Sequence, residues 1–213
     1  MRRCVWLMAL LCFCLPAAAG GPSTATRIFD PAFRTLKVSV AEDFFSPPVI
    51  RAGTDTHVVV SFDELRDDVS HLRYRLIHCN ADWRPSQLVE SEYLDAFNLA
   101  PVDDYAFSSN TFVHFVNYRI TLPNDQMAPL VSGNYLLQVF PDDDPDRTLL
   151  QARFSVSDEA VGIAGGVLTV TDRGVNDRYQ QLELVIDRLG FDMQNPATDL
   201  IVTVEQNADP ATL

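Results

Sequence analysis

From Leu36 to Val156 apolar and polar residues alternate with a period of two, and this pattern leaves little room for anything but strands. Leu36, Val38 and Val40 alternate with Lys37 and Ser39. Leu72, Tyr74 and Leu76 share one face of the next clear run. Val116, Tyr118, Ile120 and Leu122 then point one way while Asn117, Arg119 and Thr121 point the other. The same rhythm returns in Tyr135, Leu137 and Val139, and in Ala152, Phe154 and Val156. A helix would need apolar residues three and four apart, whereas successive side chains of a strand go to opposite faces. Each run therefore has one wet and one buried face. The β-branched stretch from His57 to Phe62 adds a further strand, and Pro, Gly, Asn and Asp punctuate the runs. Six or seven such strands over about 120 residues predict an all-β fold, an immunoglobulin-like antiparallel β-sandwich spanning residues 36–156.

The flanks read differently. Arg2 and Arg3 precede an apolar run from Val5 to Leu15, and Pro16 leads into Ala17, Ala18 and Ala19. That is the layout of a cleaved signal peptide over residues 1–19; a spanning helix needs about 20 apolar residues. Leu11 and Phe13, the bulky neighbours of Cys12 and Cys14, argue against lipidation at either cysteine. Cys4, Cys12 and Cys14 leave with the leader, so Cys79 remains without an internal disulfide partner and the core must hold the fold. Residues 20–35 form an N-terminal extension. Residues 157–166 read as a linker, and residues 167–213 as the start of a second β-domain that is incomplete. Its candidate strands are Val167–Thr171, Gln181–Leu189 and Leu200–Glu205, although Leu182, Val185, Ile186 and Leu189 also fit a helical face.

Charge narrows the function. The chain carries 29 acidic residues against 16 basic ones, a net charge of −13, and loss of Arg2 and Arg3 would deepen it to −15. Such a surface repels phosphate backbones and anionic headgroups, which argues against nucleic acid and against direct membrane insertion.

Reactive constellations are sparse. His78 and Cys79 are adjacent, but neighbours on a strand face opposite ways, so they cannot act as base and nucleophile together. Cys79 is expected to pack as a small hydrophobe. Asn80 and Asp82 can cap the turn leaving that strand, with Trp83 anchoring the loop beyond. Asp142, Asp144 and Asp146 have calcium-loop spacing, yet Arg147 stands where a glycine is needed and Arg153 where a glutamate is needed. His57, His71, His78 and His114 lack metal-ligand spacing, and no cofactor is expected. Asp103 and Asp104 read as solvated turn charges. Gly133-Asn134-Tyr135 opens a late strand in the manner of a tyrosine corner, or Tyr135 is simply a good strand former. The long break between Asp82 and Asn98 carries Trp83, Tyr93 and Phe97, residues suited to partner contact or to covering the end of their own sandwich.

One run is distinctive: Ile77-His78-Cys79-Asn80-Ala81-Asp82-Trp83. With Ser61-Phe62-Asp63-Glu64-Leu65 before it, it resembles the plug protein family of the type IX secretion system. The likeness continues through Tyr93-Leu94-Asp95-Ala96-Phe97-Asn98, Asn117-Tyr118-Arg119, Leu122-Pro123-Asn124 and Ser132-Gly133-Asn134-Tyr135-Leu136-Leu137. Beyond the linker it includes Asn195-Pro196 and Asp199-Leu200 to Gln206-Asn207. The resemblance implies a non-enzymatic periplasmic protein that associates with an outer-membrane β-barrel secretion translocon and closes it when no cargo passes. It also implies a longer chain than this one. The alternative from another class is a carbohydrate-binding or accessory β-sandwich module of an exported glycan-processing protein, and a third is a hydrolase with its active site further along the chain.

If the leader reading is right, mass spectrometry of the exported protein will find Gly20 as its first residue. An intact Met1 on the exported form would refute it.

Overall fold

The computed structural model describes residues 24–95, 97–169, 179–190, 192–202 and 204. The signal peptide expected over residues 1–19, with Cys4, Cys12 and Cys14, lies outside the described residues, as do residues 170–178 and 205–213 of the expected second domain.

The alternating runs fold into two sheets packed face to face. The first has the strand order β1 (Arg27–Ile28), β10 (Leu150–Ser157), β9 (Gly133–Pro141), β5 (Leu72–Cys79) and β6 (Ala100–Pro101). The short β3 (Val49–Arg51) runs parallel to β10 along Ser155–Ser157, sharing an edge with β1, which pairs at Leu150 and Gln151. The second sheet has the order β2 (Phe33–Val40), β4 (Val58–Glu64), β8 (Val116–Leu122) and β7 (Asp104–Phe107). Apart from β3, every pairing in the two sheets is antiparallel. The fold is thus all-β, a sandwich of the expected class.

Register follows burial. In β4, Val58, Val60, Phe62 and Glu64 are buried while Val59, Ser61 and Asp63 are only half-buried. Val116, Tyr118, Ile120 and Leu122 face them from the same side of β8. Leu72, Tyr74 and Leu76 of β5, Tyr135, Leu137 and Val139 of β9, and Ala152, Phe154 and Val156 of β10 supply the opposing layer. A slip of one residue would turn each of these sets to solvent, which is why the pairing is well specified. Cross-strand aromatic stacks fix the centre of each sheet: Phe62 on Tyr118 at 5.4 Å and Tyr135 on Phe154 at 5.4 Å between ring centroids. The sandwich opens earlier than the alternation implied, because Phe33 is buried with its ring tilted against Phe62, 5.9 Å between centroids.

The stretch read as a linker is largely strand. β10 runs to Ser157, and β11 (Gly162–Leu168) pairs antiparallel with β12 (Gln181–Asp187). Glycines suggested flexibility there, but Gly165 serves a close approach: a side chain on it would collide with the Glu183 carbonyl oxygen and Leu184. The ambiguous segment at 181–189 is a strand over Gln181–Asp187 rather than a helix, with Leu189 in the turn that follows. Leu200–Val202 is not in a strand; a four-residue helix, α2 (Pro196–Asp199), precedes it.

Gly133 is the backbone position with least tolerance. Its φ of +146° is one L-residues rarely adopt, and a Cβ there would strike the His78 ring. Gly133→Ala is expected to lower unfolding free energy by at least about 2 kcal/mol in urea titration. Wild-type stability in that variant would show that the β5–β9 contact can relax.

Candidate functional site

The corner after β5 is built by its own backbone. The Asn80 N–H donates to the Arg84 carbonyl at 2.8 Å, the Trp83 N–H to the Asn80 carbonyl at 2.9 Å, and the Ser86 N–H to the His78 carbonyl at 2.8 Å. Asp82 accepts from the Arg84 N–H at 3.1 Å, the local turn bond expected of an aspartate here. Asn80 contributes to the corner through its main chain, and its carbonyl also receives Asn134 Nδ2 at 3.1 Å.

His78 and Cys79 separate as strand geometry demands. His78 lies opposite Tyr135 and packs against it edge-on at 5.2 Å and against Tyr93 at 5.7 Å. Its ring nitrogens meet Ser86 Oγ at 2.8 Å and the Ser132 carbonyl at 3.4 Å. Cys79 lies opposite Asn134, on the other face, where burial pushes its thiol up to about 11. It is neutral and shielded at physiological pH. Trp83 has a left-handed φ of 62°, a conformation costing an L-residue about 1 kcal/mol. The Arg153 guanidinium holds it there, 4.2 Å over the indole.

The next loop is organised by one amide. β6 pairs with β5 only at Arg73 and Tyr74, so the backbone of Leu76 would be left at an open edge. Asn98 replaces the missing strand: its Oδ1 accepts from the Leu76 N–H and its Nδ2 donates to the Leu76 carbonyl, both at 2.7 Å. Tyr93, at the end of the four-residue helix α1 (Glu90–Tyr93), donates its hydroxyl to the same carbonyl at 3.2 Å. Leu94 is buried and bridges to Pro129. Between these anchors the chain turns Phe97 outward, and 92% of it is exposed.

Trp83, Tyr93 and Phe97 therefore occupy three environments. Tyr93 belongs to the core, at 5% exposure, so its ring serves the sandwich and positions the loop rather than meeting solvent. Trp83 is half-buried under Arg153, and Phe97 is free-standing. Sequence reading missed a second exposed aromatic pair at this end of the sandwich, Phe44 and Phe45, in the loop after β2; Phe45 is 94% exposed. Asp43 stiffens that loop by accepting from the N–H groups of Phe45 and Ser46, and its bonds to Ser46 hold its carboxyl below the usual range. Adjacent phenylalanines breaking the alternation after Val40 were the available signal.

The opposite end holds a buried carboxylate. Glu64 accepts from Tyr118 Oη at 2.9 Å and from Ser70 Oγ at 2.8 Å, with Arg66 at 3.6 Å. The Tyr118 oxygen in turn accepts from the Ser70 N–H at 2.8 Å, and burial raises its hydroxyl well above the ordinary phenol range. The even-numbered parity of β4 was the signal that could have found Glu64. Of the calcium-like aspartates, Asp142 is ion-paired with Arg73. Asp104 opens β7 rather than sitting in a turn. Among the described residues no cluster of three His, Cys, Asp or Glu side chains could hold a metal ion.

A two-sheet module with a buried apolar core and satisfied buried polar groups defines a β-sandwich domain. Residues 33–158 match the family model described as the type 9 secretion system plug protein 1st domain, and the chain belongs to that family. It is similar, at 37% identity and a TM-score of 0.79, to the crystal structure of a hypothetical protein from Parabacteroides merdae ATCC 43184. The alignment covers 82% of this chain and 44% of that one, so this chain spans less than half the length of that relative. The Pseudomonas fluorescens alkylpurine DNA glycosylase AlkC, bound to DNA containing an abasic site analog, aligns at TM-score 0.32 and 10% identity, over 58% of this chain and 29% of its own. A Niemann-Pick type C2 protein from the Japanese carpenter ant aligns at 0.31 and 14%, over 61% and 97%. Comparison with curated proteins finds no match.

Two substitutions separate scaffold from surface. Asn98→Ala is expected to cost about 1–3 kcal/mol by unpairing Leu76, whereas Phe97→Ala leaves the melting temperature within about 1 °C. Iodoacetamide labelling of native Cys79 should be slow at pH 8 and accelerate as pH approaches 11, with unfolded protein reacting quickly throughout. Fast labelling of the native thiol at pH 8 would contradict its burial.

Proposed function

We propose that this chain is a periplasmic plug subunit that binds an outer-membrane β-barrel secretion translocon and closes it between cargo molecules. The observation that carries this reading is the plug first-domain match over residues 33–158, which covers both sheets of the sandwich apart from β1. Membership of that family associates the chain with the type IX secretion machinery of the cell envelope. The solved relative is itself described only as a hypothetical protein, so the identity of the partner rests on the family.

The structure suits a steric role. One apolar cluster spans both sheets, and among the described residues no buried side-chain nitrogen or oxygen lacks a partner. Rigid packing lets a domain occupy an opening without deforming. Phe97 and Trp83 are the contact residues of this proposal, Trp83 on the hydrogen-bonded corner after β5 and Phe97 on the loop that Asn98 and Tyr93 anchor to Leu76. Large aromatic side chains presented at little conformational cost are typical of interface anchors. The acidic surface, at a net charge of −13, selects a pore mouth that carries basic patches. Closure and release are then exchange between bound and free states against cargo or another subunit.

Affinity capture from outer-membrane extract tests the proposal directly: the bound fraction should contain a large translocon barrel, and its absence would refute the reading. Phe97→Ala should reduce that capture about tenfold or more with the fold intact. Affinity should also fall between low and physiological salt, and salt-independent binding would remove the electrostatic part.

A further inference from the structure

Strand β7 ends the second sheet, and it differs from the other sandwich edges. β2, the opposite edge, is bulged between Arg34 and Lys37, with Thr35 at a φ of 55°. β1, β3 and β6 are only two or three residues long. Bulges and short length are two ways in which proteins blunt a sheet edge. β7 instead pairs with β8 in unbroken register from Asp104–Arg119 to Phe107–Val116.

Its hydrogen-bonding parity is set by the next residue. The Ser108 N–H donates to the Phe115 carbonyl at 2.9 Å, so this pair and the alternate pairs before it, Ala106–Asn117 and Asp104–Arg119, bond across to β8. Tyr105 and Phe107 consequently turn their N–H and C=O groups outward.

Their side chains lie on the inner face of the sheet but beyond the cover of the first. Tyr105 sits 6.3 Å from the core ring of Tyr118 and makes an edge contact with Phe107 at 5.8 Å. They remain 45% and 56% exposed. With Pro101 of β6 and Val102 just beyond it they line an open groove of about 650 Å³, which is also lined by Asp68 and Asp103. A third groove carboxylate, Asp142, is already paired with Arg73.

We propose that β7 is a strand-addition site for an extended segment of a partner protein. That segment carries large apolar side chains at alternate positions, facing inward beside Tyr105 and Phe107, and a lysine or arginine at the end next to Asp103. Backbone groups of Tyr105 and Phe107 supply the pairing, the two rings and Val102 supply the apolar contact, and the acidic groove selects the charge. A second copy of this chain fits less well, because an antiparallel pair with Tyr105 opposite Phe107 sets Asp103 opposite Ser109 and Asp104 opposite Ser108, and the groove carboxylates gain no basic partner. The site lies on the flank of the sandwich and does not depend on the plug reading.

The test uses the whole chain and a fluorescein-labelled peptide of alternating lysine and valine. Saturating peptide should slow amide hydrogen exchange at Tyr105 and Phe107 about tenfold while leaving Asp104 and Ala106, already bonded to β8, unchanged. Phe107→Pro removes an outward N–H without breaking a β8 bond and should weaken peptide binding about tenfold. Asp103→Asn, which leaves the backbone alone, should weaken it at low salt and not at high salt. Unchanged exchange at Tyr105 and Phe107 would overturn strand addition, as would full binding by a folded Phe107→Pro variant. Equal binding of a glutamate–valine peptide would overturn the basic partner. Protection that grows with protein concentration alone would assign the edge to a second copy and overturn the proposal.

Discussion

Two tyrosine rings sit at the centre of the sandwich, and each carries a hydroxyl that needs a partner at the rim. Leaving such a group buried and unbonded costs about 1–3 kcal/mol, so the chain around each is shaped to supply one. Tyr118 reaches Glu64 and Ser70 at one end. Tyr135 reaches the Val131 carbonyl, four residues upstream, at 2.7 Å at the other, the bond that defines a tyrosine corner. The first tie draws the 65–71 loop over the core; the second draws in the chain that joins β8 to β9. Burial raises both hydroxyls above the ordinary phenol range, which keeps them protonated as donors. Removing either hydroxyl would therefore disturb a loop as well as the core.

The same economy organises the surface around Phe97. Asn98 and Tyr93 both close on Leu76, one completing an edge and the other filling the space beneath. Neither touches a partner in this scheme. They give the intervening phenylalanine a fixed base, and a group held in one orientation loses less freedom on binding than one on a slack loop. Phe45, held by the Asp43 turn, follows the same logic in a different loop.

Period-two alternation was enough to place the inward faces of β5, β8, β9 and β10, because those strands lie inside a sheet and burial decides every second residue; β4 showed only as a β-branched run. Alternation was not enough for the edges. Asp104 looked like turn sequence because β7 is exposed on all four residues and so shows no alternation. Glycines at 162–166 suggested a linker because a strand that needs close approach and one that needs freedom have the same composition. The role of Tyr93 was hidden for another reason. Whether an aromatic in a long break faces in or out depends on Asn98 reaching Leu76 across the fold, a contact no local pattern records. The burial of Glu64 was legible by parity, yet an acid near Asp67 and Asp68 reads naturally as part of a solvated turn.

The first strand of the sandwich has its partner near the far end of the domain. Arg27 and Ile28 pair with β10, and Gln151 Nε2 reaches back to the Ala25 carbonyl across 126 positions of sequence. A polypeptide that emerges amino end first must keep this segment waiting until nearly all of the domain has followed it. The nucleus of assembly is therefore expected among neighbours in the chain, with β9 and β10 meeting as a hairpin and the leading segment docking last. Until then the outer edge of β10 stays open, and whatever escorts the unfinished chain has a bare strand to hold.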